Sequence, residues 1–322
     1  CHGDLDIMQD NKLSASNMWI DESDAETATY GIYLYMRDAL KSVHDIYLCW
    51  GEFRNGLWGA GTNKTLSGVD QTQVRTSTMS SSNAYADWSV MYKTVNQANL
   101  ILKHVPEMGI SESVRNFSLG NAYFSRAWCY FWIARIWGDA PLALTGYEST
   151  GGDLYLPRAP KAEIFARIES DLTEAERYVT DNSDKAVATP AAVQMLKADY
   201  ALWMYRVAGG GSSYLTMAEK AIEALNLSAS RLESDYAQVF SSANKLNKEV
   251  IFAVHQANGE AVNGPGYYLG WNSNYVEAAY QNNPVPITGG NQWWWYTDRY
   301  KALLTSVEGD TRTKLTYNRA DY

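Results

Sequence analysis

The segment from Leu119 to Trp137 constrains the fold most, because its residues are apolar nearly all the way round a helix. The clearly polar members of this segment are Asn121, Ser125, Arg126 and Arg135. A helix that is apolar on every side must be packed against neighbours on several sides. Gly138-Asp139-Ala140-Pro141 then stops the helix. We therefore expect it to be the central helix of a mainly α fold.

Five other segments carry helical signals, and short connections link most of them, which is typical of stacked antiparallel helix pairs. The predicted helices cover 23–40, 88–105, 160–179, 189–205 and a stretch capped by Thr216. Ser23 to Glu26 has the form of a capping box. Leu119-Gly120-x-x-Tyr123, followed by Ala127, Phe131 and Pro141, partly matches the tetratricopeptide pattern. The sequence thus predicts stacked tetratricopeptide-like pairs.

Two stretches rich in Gly and Asn interrupt this helical pattern and carry many aromatic residues. The chain has 12 Trp and 23 Tyr against 7 Phe, so most of its rings carry a polar group that needs a partner when buried. We predict a long surface loop over 49–83, a buried strand or extended core segment over 249–254, and a second aromatic loop after it. The expected organisation is a leader over 1–22, a helical scaffold over 23–226 with the loop 49–83 inserted, and a loop-rich ligand-binding region over 227–322.

Several classes of function are disfavoured. The net charge of −9 and the absence of a basic stripe disfavour nucleic-acid binding. None of the four His residues has metal-ligand spacing, so we expect no metal and no cofactor. No apolar run reaches the length of about 18 residues that marks a membrane span. A glycoside hydrolase stays open as an alternative, because five carboxylates lie in or beside the loops: Glu52, Asp70, Glu260, Glu277 and Asp298.

The three Cys residues point to different roles. Cys49 and Cys129 lie in apolar stretches, which argues against a disulfide framework. Cys1 is either an arbitrary boundary or the mature end of a bacterial lipoprotein whose signal peptide was removed just before it. If it is lipidated, the folded part of the chain is anchored to a membrane without spanning it.

Residues 120–142 resemble a characteristic segment of the SusD/RagB outer-membrane lipoproteins of Bacteroidota. That segment has the pattern Gly-x-Ala-x-Phe-x-Arg-Ala-x-x-Tyr-Phe, followed by Gly-Asp-x-Pro-Leu, and this chain matches it from Gly120 to Leu142. Residues 88–103, 157–175, 189–205 and 247–252 resemble further segments of the family in the same order. Family members normally continue well beyond 308–312, so we expect part of the fold to be missing from this chain.

The resemblance implies a non-catalytic, surface-exposed binding protein rather than an enzyme. Such a protein holds an oligosaccharide, or in some members a peptide, and delivers it to a SusC-like TonB-dependent transporter in the outer membrane. It implies that Cys1 is lipidated, that the helices face the transporter and that the loops form the ligand platform. A helical scaffold protein that ignores sugars remains an alternative.

The resemblance and the loop positions together suggest the ligand-binding residues, since Trp and Tyr stack on sugar rings and polar groups bind their hydroxyls. They are Arg54, Asn55, Trp58, Trp271, Tyr275, Asn291, Trp293, Trp294, Trp295 and Tyr296. Consecutive Trp residues cannot all point inward, so at least one of the three should be exposed or partnered. No aromatic residue lies around 70–73, where the starch-binding member has one, and this argues against starch.

Overall fold

Helices form most of the computed structural model, which describes residues 18–59, 69–149, 154–257, 259–260 and 295–313. The helices are α1 (Glu22–Trp50), α2 (Val69–Thr76), α3 (Ser89–His104), α4 (Glu112–Trp137), α5 (Lys161–Tyr178), α6 (Pro190–Arg206), α7 (Ser212–Ala224), α8 (Tyr236–Val239) and α9 (Asp298–Leu304). Two short antiparallel pairs join β1 (Trp58–Gly59) to β4 (Trp295–Tyr296) and β2 (Ala140–Pro141) to β3 (Arg158–Ala159). The predicted mainly α class is confirmed.

The chain divides into two compact units. Among the described residues, the first unit comprises 18–35, 91–149, 154–228 and 251–253, and the second comprises 36–59, 69–90, 229–250, 254–257, 259–260 and 295–313. Helix α1 therefore contributes its first part to one unit and its remainder to the other. The domain boundaries expected from the sequence stay a prediction.

Helix α4 is the centre of the first unit, as its composition predicts. Residues 118–122, 124–127 and 129–131 are all buried, and such runs cover every face of a helix. Ser111 caps its start, and Gly138 follows its last residue with a positive φ of 71°. Among the described helices, none is both long enough and apolar enough to cross a membrane.

Close helix pairs build the rest of the first unit, with α4 against α5 and α6 against α7. Gly120 allows the closest approach, because a Cβ atom there would lie 2.7 Å from Cγ2 of Val179 and 3.1 Å from its backbone nitrogen. This is the small-against-large packing that the tetratricopeptide pattern predicts around Gly120. Polar side chains join this second pair to α5, where Tyr200 on α6 and Tyr214 on α7 both donate hydrogen bonds to Oε1 of Glu169.

A buried ion pair joins three helices of this unit. Arg126 on α4 donates from Nε and Nη2 to the two carboxylate oxygens of Asp171 on α5, at 2.8 and 2.7 Å. Its Nη1 donates to Oδ1 of Asn99 on α3 at 2.8 Å. Asp171 is fully buried and Arg126 is 5% exposed. Asn99 in turn donates to the carbonyl of Ala143, so the network also fixes the segment after α4.

Two helix starts differ from their sequence predictions. The cap of α1 is formed by Asp21 and Asp24, since each carboxylate accepts the backbone N–H of the other residue. Ser23 lies inside the helix, which continues ten residues past its predicted end at Leu40 to Trp50. Helix α7 begins at Ser212 after Gly211, so Thr216 is an interior residue and does not cap it.

The predicted loop over 49–83 was wrong in part, because residues 69–76 form helix α2. The sequence of α2 lacks the regular spacing of apolar residues that predicts a helix, because one of its two buried residues, Gln71, is polar. Gln71 is 6% exposed and donates through Nε2 to the hydroxyl of Tyr85 at 2.9 Å. Trp50 donates through its indole nitrogen to the carbonyl of Tyr85 at 2.8 Å. Residues 60–68 of this stretch lie outside the described residues.

Residues after α8 are predicted to form either a buried strand or an extended core segment, and the structure shows an extended segment. Residues 249–254 belong to no described strand and are half-buried. Phe252 packs edge-on against Phe124 at 5.3 Å, and Ala253 donates its backbone N–H to the carbonyl of Lys185.

Both internal thiols are buried free cysteines. Burial raises the pKa of Cys49 to about 12, although a hydrogen bond with Tyr85 opposes the shift. Burial also raises the pKa of Cys129, which is fully enclosed in α4. At neutral pH both side chains are therefore protonated.

Gly120→Ala tests the close approach of α4 to α5. The added methyl group meets the Val179 side chain and backbone atoms of Tyr178 and Val179 at the end of α5, so we expect a loss of about 1–3 kcal/mol in the free energy of unfolding. Urea denaturation followed by circular dichroism measures it.

Gly31→Ala in α1 is the matched control. There the nearest atom to an added Cβ is Nε2 of Gln97 at 3.5 Å, an ordinary contact. Since Ala is favoured over Gly in a helix interior by roughly 0.5–1 kcal/mol, this variant should be neutral or more stable. Equal effects of the two substitutions would contradict the packing argument.

Candidate ligand-binding site

The strand pair β1–β4 brings together two regions of the second unit that are far apart in the sequence. Trp58 lies opposite Tyr296, and Gly59 lies opposite Trp295. Residues from both aromatic regions singled out in the sequence are therefore neighbours. A Cβ on Gly59 would lie 3.2 Å from Cγ2 of Thr297, so a small residue suits this crossing point.

Four rings surround this strand pair, and we call them the aromatic cluster: Phe53, Trp58, Tyr296 and Tyr300. The ring centres of Trp58 and Tyr296 are 4.6 Å apart, and those of Tyr296 and Tyr300 are 4.8 Å apart at 82°. Phe53 is buried and meets Trp58 edge-on at 5.3 Å. The other three rings are partly exposed. Phe53 thus supports a set of rings that retain some contact with solvent.

Thr297 holds the cluster in place through its backbone and its side chain. Its N–H donates to the carbonyl of Leu57 at 2.9 Å, and its hydroxyl donates to the same oxygen at 3.0 Å. The hydroxyl also accepts the N–H of Tyr300 and so caps α9. A single side chain therefore links β1 to the helix that carries Tyr300.

The polar residues predicted for the first loop have different environments. Asn55 is used by the turn itself, because its Oδ1 accepts the N–H of Leu57 at 2.8 Å and its amide nitrogen donates to Glu52. Arg54 ends the short 3₁₀ turn Glu52–Arg54 and is exposed. Its guanidinium has no hydrogen-bond partner among the described residues. Arg54 is thus better placed than Asn55 to meet a ligand.

Burial raises the pKa of Tyr296, and the neighbouring Tyr300 raises it further. A tyrosine is already neutral at physiological pH, and the raised pKa keeps the Tyr296 phenol protonated to a higher pH than usual. An uncharged ring beside Trp58 suits a neutral polar ligand better than a phenolate would.

Other predicted residues cannot be placed in this geometry. Cys1, Trp271, Tyr275, Asn291, Trp293 and Trp294 lie outside the described residues. For Trp295 the structure gives the backbone pairing with Gly59. Their roles in ligand binding stay predictions.

The carboxylates of the hydrolase alternative have structural partners. Glu260 pairs with Arg37 at 2.6 Å, and Asp298 lies 3.3 Å from Lys301. Asp70 accepts the N–H of Ala84, and Glu52 accepts from Asn55.

Hydrogen bonding from Ala257 and Arg37 lowers the pKa of Glu260, which is opposite to the shift that a general acid needs. Glu277 lies outside the described residues. Within the described ranges, no cluster of three or more His, Cys, Asp or Glu could hold a metal ion.

Sequence reasoning missed Tyr300 and Thr297. Tyr300 follows Tyr296 by four residues, and Thr297-Asp298 is a standard helix start, so both signals were present in the sequence.

Comparison with known proteins gives one family match and several similar structures. Residues 60–203 match a SusD-like family model described as "Starch-binding associating with outer membrane". The curated SusD-like protein P38 of Formosa agariphila is 27% identical over 180 residues, which cover 56% of this chain and 34% of that protein. The matched part thus spans about a third of this relative.

The fold similarity extends over more of the chain. NanU of B. fragilis superposes with a TM-score of 0.77 at 26% identity, covering 95% of this chain and 64% of NanU. A structure named "Laminarin binding SusD-like protein" superposes with a TM-score of 0.59 at 17% identity, over 72% of this chain and 51% of that one. At that identity the second comparison shows a shared fold alone.

Thr297→Val tests how the cluster is held. The variant keeps the shape of the side chain but removes the hydroxyl that bonds Leu57 and caps α9. We expect a local loss of about 1 kcal/mol, seen as faster hydrogen exchange in 298–304, because the cap of α9 is lost.

Thr297→Ser retains the hydroxyl and serves as the control. It should leave exchange in α9 nearly unchanged. Equal exchange in the Val and Ser variants would show that the hydroxyl does not fix the cluster.

Proposed function

From the similarity of residues 60–203 to the SusD-like family, we propose that this chain is a non-catalytic SusD-like protein that binds an oligosaccharide at the aromatic cluster. The observation that carries the proposal is the pairing of Trp58 with Tyr296 across β1–β4, with Tyr300 beside them. Sugar rings have apolar C–H faces that pack on such side chains. The matching family model, whose description includes starch binding, supports a glycan as the ligand class.

The polar surroundings are consistent with such a ligand. Exposed Arg54 lies in the turn before β1, close in sequence to Trp58, and can donate hydrogen bonds to sugar hydroxyls. Arg54 is exposed, and the rings of Trp58, Tyr296 and Tyr300 are half-exposed, so each keeps some surface open to a ligand.

The similarity to the SusD-like family also supports a proposal for the cellular role. We propose that the protein is anchored to the outer membrane by a lipid on Cys1, faces the outside of the cell and passes its glycan to a SusC-like TonB-dependent transporter. The family description, which names outer-membrane association, supports the location. Mass spectrometry of the native protein tests the anchor, and an unmodified Cys1 or a longer N-terminus would contradict it.

Trp58→Ala is the direct test of the glycan proposal. Removing an aromatic anchor from a binding site commonly costs more than 1–2 kcal/mol, so we expect at least about a tenfold weaker retention of the bound glycan. The measurement is affinity electrophoresis against a glycan panel that includes laminarin and starch.

Two further variants make the result interpretable. Trp58→Phe keeps a ring and should retain most of the binding. Phe240→Ala removes a ring that is 73% exposed in the same unit but lies outside the cluster, and it should leave binding unchanged. If Trp58→Ala binds every glycan as well as the unaltered protein, the cluster is not the platform.

Two alternatives have distinct outcomes in the same experiments. Retention of peptides in place of glycans, with the same dependence on Trp58, would identify a peptide-binding member of this architecture. Release of reducing ends from a glycan by the purified protein would contradict the non-catalytic proposal.

A further inference from the structure

A groove of about 360 Å³ lies on the first unit, and it contains no residue of the aromatic cluster. It is formed by the start of α1, the start of α4, the end of α5 and the chain around 178–188. Apolar side chains that line it are Tyr30, Val114, Phe117, Tyr178 and Val179. Its volume suits one or two side chains rather than an extended glycan.

The aromatic wall of the groove is open to solvent. Tyr30 is 54% exposed, and its ring is 5.8 Å from that of Phe117, tilted by 54°. Tyr30 and Leu34 are one helical turn apart on α1, and Leu34 is 46% exposed. The apolar surface therefore continues along α1 beyond the groove, which favours a partner larger than a single small molecule.

The charged residues that line the groove are both acidic, and the guanidinium of Arg177 lies 5.0 Å from the centre of the Tyr178 ring. Glu26 and Asp181 line it, and none of its lining residues is Lys, Arg or His. Burial raises the pKa of Tyr30, and the carboxylates of Asp184, Glu26 and Asp181 raise it further. Three negative groups thus act on one hydroxyl. Within the described part of the chain, the carboxylate of Glu26 has no ion pair or hydrogen bond.

Asn121 lies at the floor of the groove, and its side-chain amide already has hydrogen-bond partners within the protein. A ligand would therefore be recognised by the other residues that line the groove. Oδ1 of Asn121 accepts the hydroxyl of Tyr33 and the N–H of Ala188, while its amide nitrogen donates to the carbonyl of Phe117. A bound group can therefore find its polar partners at Ser113, Asn116 and Thr180 or at the two carboxylates, Glu26 and Asp181. A positively charged group matches the two carboxylates.

We propose that this groove binds an arginine side chain of a polypeptide partner, with the guanidinium against the Tyr30 ring and its N–H groups on Glu26 and Asp181. Arginine fits better than lysine, because its planar, weakly hydrated head both stacks on rings and bonds carboxylates through several N–H groups. Asp181 already accepts the N–H and hydroxyl of Ser183, which fixes its orientation. The exposed stripe of Tyr30 and Leu34 then receives apolar residues next to that arginine.

The test titrates the full chain with the peptide acetyl-Gly-Arg-Gly-amide and with its citrulline and lysine counterparts, followed by NMR. Citrulline has the shape of arginine without the charge, so its peptide should bind at least about fivefold more weakly. The lysine peptide should also bind more weakly. Raising the salt concentration should weaken the arginine complex.

Matched variants locate the site. Glu26→Gln and Tyr30→Leu should each weaken arginine-peptide binding by at least about threefold, whereas Tyr30→Phe keeps the ring and should retain it. Glu163→Gln changes an exposed carboxylate on α5 that does not line the groove, and it should have no effect. Circular dichroism checks that each variant is folded.

Several results would overturn the proposal. These are no saturable shift with the arginine peptide, equal binding of the citrulline or lysine peptide, or no effect of Glu26→Gln. Tighter binding of free spermidine than of the arginine peptide would identify a small-cation site instead of a docking groove. Since the salt and citrulline tests use the unaltered protein, unfolding of a variant would not remove the test.

Discussion

The buried pair of Arg126 and Asp171 is the constraint on which the first unit depends. Moving two charges out of water is expensive, and the interior tolerates them because Arg126 and Asp171 share two short hydrogen bonds and Arg167 adds a second positive charge 3.6 Å from Asp171. Burial raises the pKa of Asp171, and the guanidinium of Arg126 opposes that shift. Asn99 extends the network to α3 and, through Ala143, to the chain after α4. A slip of one helix against another would leave a charge unpaired, so the pair fixes the relative position of three helices.

Most of the helical scaffold could be predicted from sequence, because apolar spacing is a strong signal over a long segment. Helix α4 and its stop at Gly138 are examples, as is the small residue at Gly120. Helix α2 could not be predicted, since Gln71 is buried through a hydrogen bond to Tyr85, and a polar residue gives no apolar period. Helix starts were uncertain for a related reason: several Asp, Ser and Thr residues near each start could serve as the cap, and tertiary packing selects one.

The geometry of the candidate site could be predicted from sequence only in part, for a different reason. The sequence marks the aromatic residues of two regions, but a strand pair of two residues per strand has no period from which the partner of Trp58 could be deduced. The amide side chain of Asn55 could hydrogen-bond a sugar, but its Oδ1 already accepts the backbone N–H of Leu57 in the same turn. Composition identifies which residue types are present, whereas hydrogen bonding decides which of them remain free for a ligand.

The buried thiols have a practical consequence for labelling. A thiolate is the species that reacts with maleimides and with most oxidants, and the raised pKa values of Cys49 and Cys129 leave almost none at neutral pH. Both side chains are also out of reach of a reagent in the folded state. A maleimide should therefore leave Cys49 and Cys129 unmodified while the protein is folded. Labelling of either thiol would report that its part of the structure has opened.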